Sequence, residues 1–216
     1  IKLWIGAIER LQKVGISKIG LIHRGFTSYG AKEYRNMPMW QIPIEIKRLF
    51  PNLPMICDPS HISGNRNNIL QISQSAIDMD FDGLMIESHC NPDVALTDKE
   101  QQLKPEDLKI LLDQLVHKSS NISQNKYVTQ LQNHRERINQ LDEELLTLIS
   151  NRMTVAKEIG ELKNKHRITV LQTSRFSEVL ERSIKKGEKI GLSSDFIKTY
   201  MDAIHMESIR IQNDLK

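Results

Sequence analysis

Three polar residues in the first half of the chain have the types and setting of a metal site. His61, Glu87 and Asp98 bring one imidazole and two carboxylates from three neighbouring segments, a donor set that suits manganese, iron, cobalt or zinc. Arg24 adds a cationic fork matched to phosphate or carboxylate. A metal beside such a clamp suits a lyase, aldolase or transferase acting on phosphorylated sugars. A lone His or Asp after a strand is more often a turn former or cap. Three successive strand-like runs ending in such residues shift the balance towards a site.

The second half carries a different signal, cations where hydrophobes are expected. Leu131, Ile138, Leu141, Leu145, Leu148, Ile149, Val155, Ala156, Ile159 and Leu162 recur at helical spacing. Arg152 sits seven residues after Leu145 on that stripe, and Lys163 follows eleven later, only ~20° further round the helix. One long basic side chain would snorkel to water. Two on a buried stripe favour a bound anion, because unpaired buried charge is costly. Arg135 lies seventeen residues before Arg152, ~25 Å away along a straight helix. It cannot serve the same pocket in the same chain, but an antiparallel helix from a second chain could deliver it. Ser208 and Gln212, at i and i+4, share one face of the last helix.

The elements that must position these residues follow from pattern and composition. Ile19–Ile22, Met55–Cys57 and Gly83–Ile86 are short apolar runs that read as strands buried on both faces. Helical stretches over 42–50, 67–79 and 105–117 separate and follow them, giving βα units of a parallel sheet. Chemistry in such folds sits at the carboxyl ends of the strands. All seven prolines lie at or before Pro105, so the proline-free remainder reads as helical over 127–164, 174–186 and 193–213. Ser119–Asn125 is polar and aperiodic. The expected domains are therefore 1–118, a linker at 119–126, and a helical domain at 127–216.

Bulk properties exclude several classes. With 216 residues, 39% hydrophobic and 26% charged, the chain can build a core, which argues against disorder. No apolar run approaches the ~20 residues of a membrane span. A net charge of +3, with no set of stacking aromatics, argues against a nucleic-acid binder. Cys57 and Cys90 are too few for a disulfide framework, so reduced thiols and a cytoplasmic location are expected. Ile1, Trp4, Ile5, Ile8 and Leu11 share a helical stripe that begins at residue 1 without an initiator methionine, and the chain reads as a piece of a longer protein.

Several motifs together carry a family resemblance. His23-Arg24-Gly25, Tyr34-Arg35-Asn36, Asp58-Pro59-Ser60-His61-Ile62-Ser63-Gly64, Glu87-Ser88-His89, and Asn91-Pro92 through Asp98 resemble the closing third of 3-deoxy-D-arabino-heptulosonate-7-phosphate (DAHP) synthases. That family condenses phosphoenolpyruvate with erythrose 4-phosphate on a metal-bearing (β/α)8 barrel. The resemblance implies that His61, Glu87 and Asp98 ligate a divalent metal such as manganese. It further implies that Arg24 binds the phosphoenolpyruvate phosphate and that Asp58 lies near metal and aldehyde, with Arg35 a weaker supporting candidate. The family's cysteine ligand on the first barrel strand has no counterpart here, and neither Cys57 nor Cys90 replaces it. Three strands cannot close a barrel, so this chain alone is expected not to condense the two substrates.

The helical half resembles the all-helical chorismate mutases. The carried residues are Arg135 with Ile138, Leu141 and Asp142; Arg152 with Ala156, Ile159 and Lys163; Arg175; and Ser208 with Gln212. The implied fold is three helices per chain in an intertwined homodimer, and the implied ligands are chorismate and prephenate with no cofactor. Arg135 (from the partner) and Arg152 are assigned to the two carboxylates, and Lys163 and Gln212 to the ether oxygen. Arg175 and Ser208 assist substrate hydrogen bonding. Phe176 stands where some members carry a hydroxyl-binding glutamate, and Gln172 where an aspartate is common, leaving Gln172 or backbone to meet the hydroxyl. A fusion of the two enzymes implies feedback from the mutase ligand to the synthase. The alternative is a non-catalytic helical module that senses ligand and dimerises to regulate the synthase.

Overall fold

The structure is a computed structural model that describes residues 1–28, 33–118 and 127–214. The expected linker at 119–126 lies outside the described residues. The chain divides into two compact units, Ile1–Ile122 and Ser123–Lys216.

In the first unit, α1 (Lys2–Lys13) precedes β1 (Leu21–His23), α2 (Gln41–Leu49), β2 (Met55–Cys57), α3 (Pro59–Ser63), α4 (Ile69–Asp78), β3 (Gly83–Leu84) and α5 (Pro105–Gln114). The strands form one parallel sheet in the order β1-β2-β3, with Leu21 opposite Met55, His23 opposite Cys57, and Cys57 opposite Leu84. This is the βα succession expected from the sequence. Ile8, Ile46, Met55, Cys57, Ile62 and Ile72 form the core beneath the sheet. Of the α1 stripe, only Ile8 is fully buried.

Two expectations need correction. The outer runs make shorter strands than their apolar length suggests. Backbone pairing begins where Leu21 N donates to the Pro54 carbonyl. After Met85 N bonds the Cys57 carbonyl, Glu87 N turns instead to Ser60 Oγ at 3.0 Å, drawing the chain off the sheet. Nor are the strands buried on both faces. Leu21 and His23 face the helices, whereas Ile22, on the opposite face, stays 41% exposed. Among the described residues, the helices cover one face of the sheet.

The second unit is helical: α6 (Val128–Lys165), α7 (Thr173–Glu188) and α8 (Ser194–Asn213). Ser193 caps α8 by accepting from Phe196 N at 3.3 Å. Gly191, at φ +87°, makes the turn before it. Helix α8 packs against both α6 and α7. The α6 stripe departs from expectation: only Ala156 and Gly160 are buried, while Ile138, Leu141, Leu145, Leu148, Ile159 and Leu162 are exposed. For Ile138, Leu141, Leu145 and Leu148 the cause is length, whereas Ile159 borders an open cavity. A helix of 38 residues spans ~57 Å, and α8, with 20 residues, covers ~30 Å of it at most.

Candidate functional site

The first cluster is built at the carboxyl ends of β2 and β3. Asp58 ends β2 and caps α3, where its Oδ1 accepts from His61 N at 3.0 Å. Pro59 at the first helical position has no N–H to satisfy. This one-turn helix aims His61 back at Asp58, whose Oδ2 lies 2.7 Å from His61 Nδ1 and 3.3 Å from Arg24 Nε. A carboxylate accepts only, so His61 donates from Nδ1 and keeps its Nε2 lone pair free when neutral. That Nε2 faces Glu87 Oε1 at 3.4 Å. Ligand atoms of His61, Glu87 and Asp98 all lie within 4.8 Å of one another. One imidazole oriented by a carboxylate, with two further carboxylates, fits a divalent first-row ion as a three-ligand set.

A second layer holds the carboxylates. Arg35 Nη1 bonds Asp98 Oδ1 at 2.7 Å and Gln101 Oε1 at 3.0 Å, and Gln101 Nε2 donates to Glu87 Oε2 at 2.9 Å. The chain Asp98–Arg35–Gln101–Glu87 thus ties two of the three carboxyl and imidazole groups together. The Arg35 guanidinium also holds the Asp98 carboxyl below the usual carboxylate range. Asp98 adopts φ +48°, a left-handed conformation that Asp tolerates better than most residues. Arg66 fixes the surrounding loop by donating to the Gln102 and Lys99 carbonyls, each at 2.8 Å. Gly64, at φ +70°, ends α3 where an added Cβ would meet Arg35 Cβ at 2.5 Å, so glycine lets Arg35 approach. Cys57 is a core residue whose thiol burial pushes up to about 12, and Cys90 is exposed beside His89.

The second cluster lies among the three helices, around a cavity of about 500 Å3. Arg152 and Lys163 of α6, Gln172 and Arg175 at the start of α7, and Ser208 and Gln212 of α8 all line it. Val155, Ile159, Val170, Val179, Met201 and Ile209 form apolar walls. Arg152 is exposed overall, yet its Nη1 reaches Ser208 Oγ at 2.6 Å. Lys163 is half-buried, with Nζ on the Val170 carbonyl at 2.7 Å. Arg175 Nη1 pairs with Glu178 at 2.8 Å at the surface. Among the described residues lining the cavity there is no Asp or Glu. Arg152 and Lys163 face this part-apolar cavity with no carboxylate in its lining, and Arg175 reaches it while paired with Glu178, an arrangement suited to an anion.

Arg135 is the one sequence-predicted residue of this group left outside. It is exposed on the same unbroken α6, ~25 Å from Arg152. Two residues were missed by sequence reasoning. Gln101 is 1% exposed and bridges Arg35 to Glu87, but a glutamine in a loop carries no periodic signal. His205 of α8 lines the cavity and stacks on Phe176 with ring centroids 4.0 Å apart. Its spacing of three and seven from Ser208 and Gln212 was the available clue.

Residues 1–124 match the DAHP synthetase I family, and residues 134–213 match chorismate mutase type II. A phospho-2-dehydro-3-deoxyheptonate aldolase from Thermotoga maritima is 30% identical over 115 residues, covering 53% of this chain and 33% of that protein. A crystal structure of phospho-2-dehydro-3-deoxyheptonate aldolase (DAHP synthase) from T. maritima aligns at 30% identity and TM-score 0.45, covering 50% of this chain and 32% of that one. A 4-amino-4-deoxychorismate mutase from Streptomyces pristinaespiralis is 26% identical over 80 residues, 37% of this chain and 62% of that protein. The chain spans about a third of the length of the T. maritima relative. With two compact units matching two families in succession, the chain belongs to the DAHP synthetase I family and carries a type II chorismate mutase domain behind its synthase segment.

Proposed function

We propose that the helical unit converts chorismate to prephenate. The first unit is then the closing part of a DAHP synthase barrel, and the full-length protein joins two steps of aromatic amino-acid biosynthesis. The observation that carries the mutase reading is the convergence of Arg152, Lys163, Gln172, Arg175, Ser208 and Gln212, from three helices, on one cavity. Chorismate is a dianion whose Claisen rearrangement needs no nucleophile, proton shuttle or cofactor. Its catalyst must hold the reactive conformer and stabilise negative charge growing on the breaking ether oxygen. Arg152 binds one carboxylate, displacing its bond to Ser208, and Arg135 of a partner subunit binds the other. Lys163 and Gln212 meet the ether oxygen, and Arg175 and Ser208 support substrate hydrogen bonding. Each such donor is worth on the order of 100-fold in rate.

The exposed α6 stripe supports a homodimer built through the helical unit. An antiparallel partner helix would cover Ile138, Leu141, Leu145 and Leu148 and bring a second Arg135 to each cavity. No described helix is long and apolar enough to cross a membrane, and we place the biosynthetic function in the cytoplasm.

In the complete barrel, His61, Glu87 and Asp98 would hold a divalent ion of the manganese type, which as a Lewis acid polarises a substrate carbonyl. Asp58 orients His61 and faces the aldehyde substrate, and Arg24 receives the phosphate of phosphoenolpyruvate. Arg35 and Gln101 keep the carboxylates in place. This chain alone does not condense the two substrates.

The test is chorismate consumption and prephenate formation by the purified chain, with its mass in solution measured alongside. Turnover by a dimer is expected; a folded chain that leaves chorismate untouched refutes the mutase reading. Phe176, at the place of an expected hydrogen-bond acceptor, favours a second reading in which the cavity only senses ligand and regulates the synthase. Tight prephenate binding without turnover is its signature.

A further inference from the structure

The cavity holds more donors than acceptors. Arg152, Lys163 and Arg175 can only donate. A ligand bearing a hydroxyl also brings a donor of its own, and a donor left unmet where the bound ligand displaces water is costly. Ser208 Oγ gives its only hydrogen to the Ile204 carbonyl and accepts from Arg152, a bond that ligand binding releases. Gln212 shares the end of the cavity with Lys163 in the reading above. Gln172, His205 and the Gln212 carbonyl oxygen, itself buried without a partner, remain as acceptors.

His205 is the one whose orientation a neighbouring ring fixes. Its ring lies on Phe176 at 4.0 Å and 19°, close to parallel, which fixes the imidazole plane against the cavity wall. Its Nε2 is shielded from solvent and has no hydrogen-bond partner, so this ring has bonding capacity that the protein does not use. The stack also accounts for Phe176: an aromatic ring there orients the histidine, which a carboxylate side chain would not do by packing.

We propose that His205, oriented by Phe176, accepts the hydroxyl hydrogen of the bound dianion and makes the cavity selective for hydroxyl-bearing over ammonium-bearing ligands. The inference rests on the reading of this cavity as a chorismate site. Burial and the Arg152 charge, with a smaller contribution from Lys163, push the His205 imidazole below its ordinary range, opposed by Asp202. The ring therefore stays neutral and keeps an acceptor nitrogen at neutral pH. An ammonium would meet Arg152 and Lys163 with no carboxylate in the cavity lining, and a neutral imidazole cannot balance that repulsion.

The test measures calorimetric binding of a stable oxabicyclic diacid that mimics the rearranging geometry, in hydroxyl, deoxy and amino forms, to the full chain. Wild type is expected to prefer the hydroxyl form over the other two by on the order of 10- to 100-fold. His205→Phe keeps the stack but loses the acceptor, so it binds hydroxyl and deoxy forms alike while retaining the wild-type affinity for the deoxy form. His205→Gln restores most of the preference. Loss of affinity for both forms in both variants would mean a purely structural histidine and overturn the proposal. So would a preference that survives His205→Phe and disappears in Gln172→Leu, or wild-type binding of the amino form as tight as the hydroxyl form. Because binding is read without turnover, a chain that discriminates but does not rearrange chorismate sinks the mutase reading alone.

Discussion

Arg135 offers the sharpest test of how the helical unit is assembled. It shares one unbroken 38-residue helix with Arg152 and Lys163, and the ~25 Å separating it from Arg152 far exceeds the reach of an arginine side chain. If it acts, it acts in the cavity of a second copy. Arg135→Ala should lower chorismate kcat/KM by on the order of 100-fold, the loss of one charged hydrogen bond to a carboxylate. Lys163→Ala should be at least as damaging. When the two inactive variants are unfolded together and refolded, half the dimers are mixed. Each mixed dimer pairs an intact Lys163 with an intact Arg135 at one of its two sites, so about a quarter of wild-type activity returns. The assay is chorismate loss, with circular dichroism confirming equal helix content. If mixing restores nothing while both variants remain dimeric, Arg135 does not cross between subunits, and the exposed leucine stripe needs another explanation.

Lys163→Ala should abolish rearrangement while leaving the oligomer intact by light scattering; near-normal turnover would remove Lys163 from the ether contact. In the first unit, Gln101→Leu leaves Glu87 Oε2 and Arg35 without their shared partner and should weaken Mn(II) binding by about 10- to 100-fold, read by paramagnetic resonance of free ion; unchanged affinity would reduce Gln101 to packing. His23 is 1% exposed among Phe26, Trp40 and Phe81, and burial lowers its pKa from 6.5 to about 4, which the Pro38 carbonyl offsets only in part. The unfolded chain therefore takes the proton first. Stability is undiminished above pH 6.5 and falls by about 3 kcal/mol between pH 6.5 and 4. Both tryptophans, Trp4 and Trp40, lie in the first unit, so their fluorescence during urea unfolding isolates it. His23→Phe should flatten that pH slope, and an unchanged slope would refute the assignment.

Much of the molecule could be read from residue order because its signals are local. Proline spacing and apolar period marked the βα units and the three long helices. The Asp58–His61 element could be recognised because its residues are contiguous and directly follow an apolar strand run; that Asp58 caps the turn carrying His61 came from the structure. The cationic breaks at Arg152 and Lys163 needed only helix geometry. The lengths of the outer strands were not legible, since Ser60 Oγ, twenty-seven residues away, decides where the chain leaves β3. Nor was the state of the α6 stripe, because periodicity says which face is apolar and not whether anything covers it.

Residue types and local periods thus determined which helices and strands form, which ends of them carry charge, and which residues are candidates for metal and dianion. The tertiary structure alone decided how those candidates are held: Gln101 between Arg35 and Glu87, and His205 against Phe176. Hydrogen bonds and ring stacks between distant segments depend on where whole elements come to rest, and no short-range pattern in the chain encodes that.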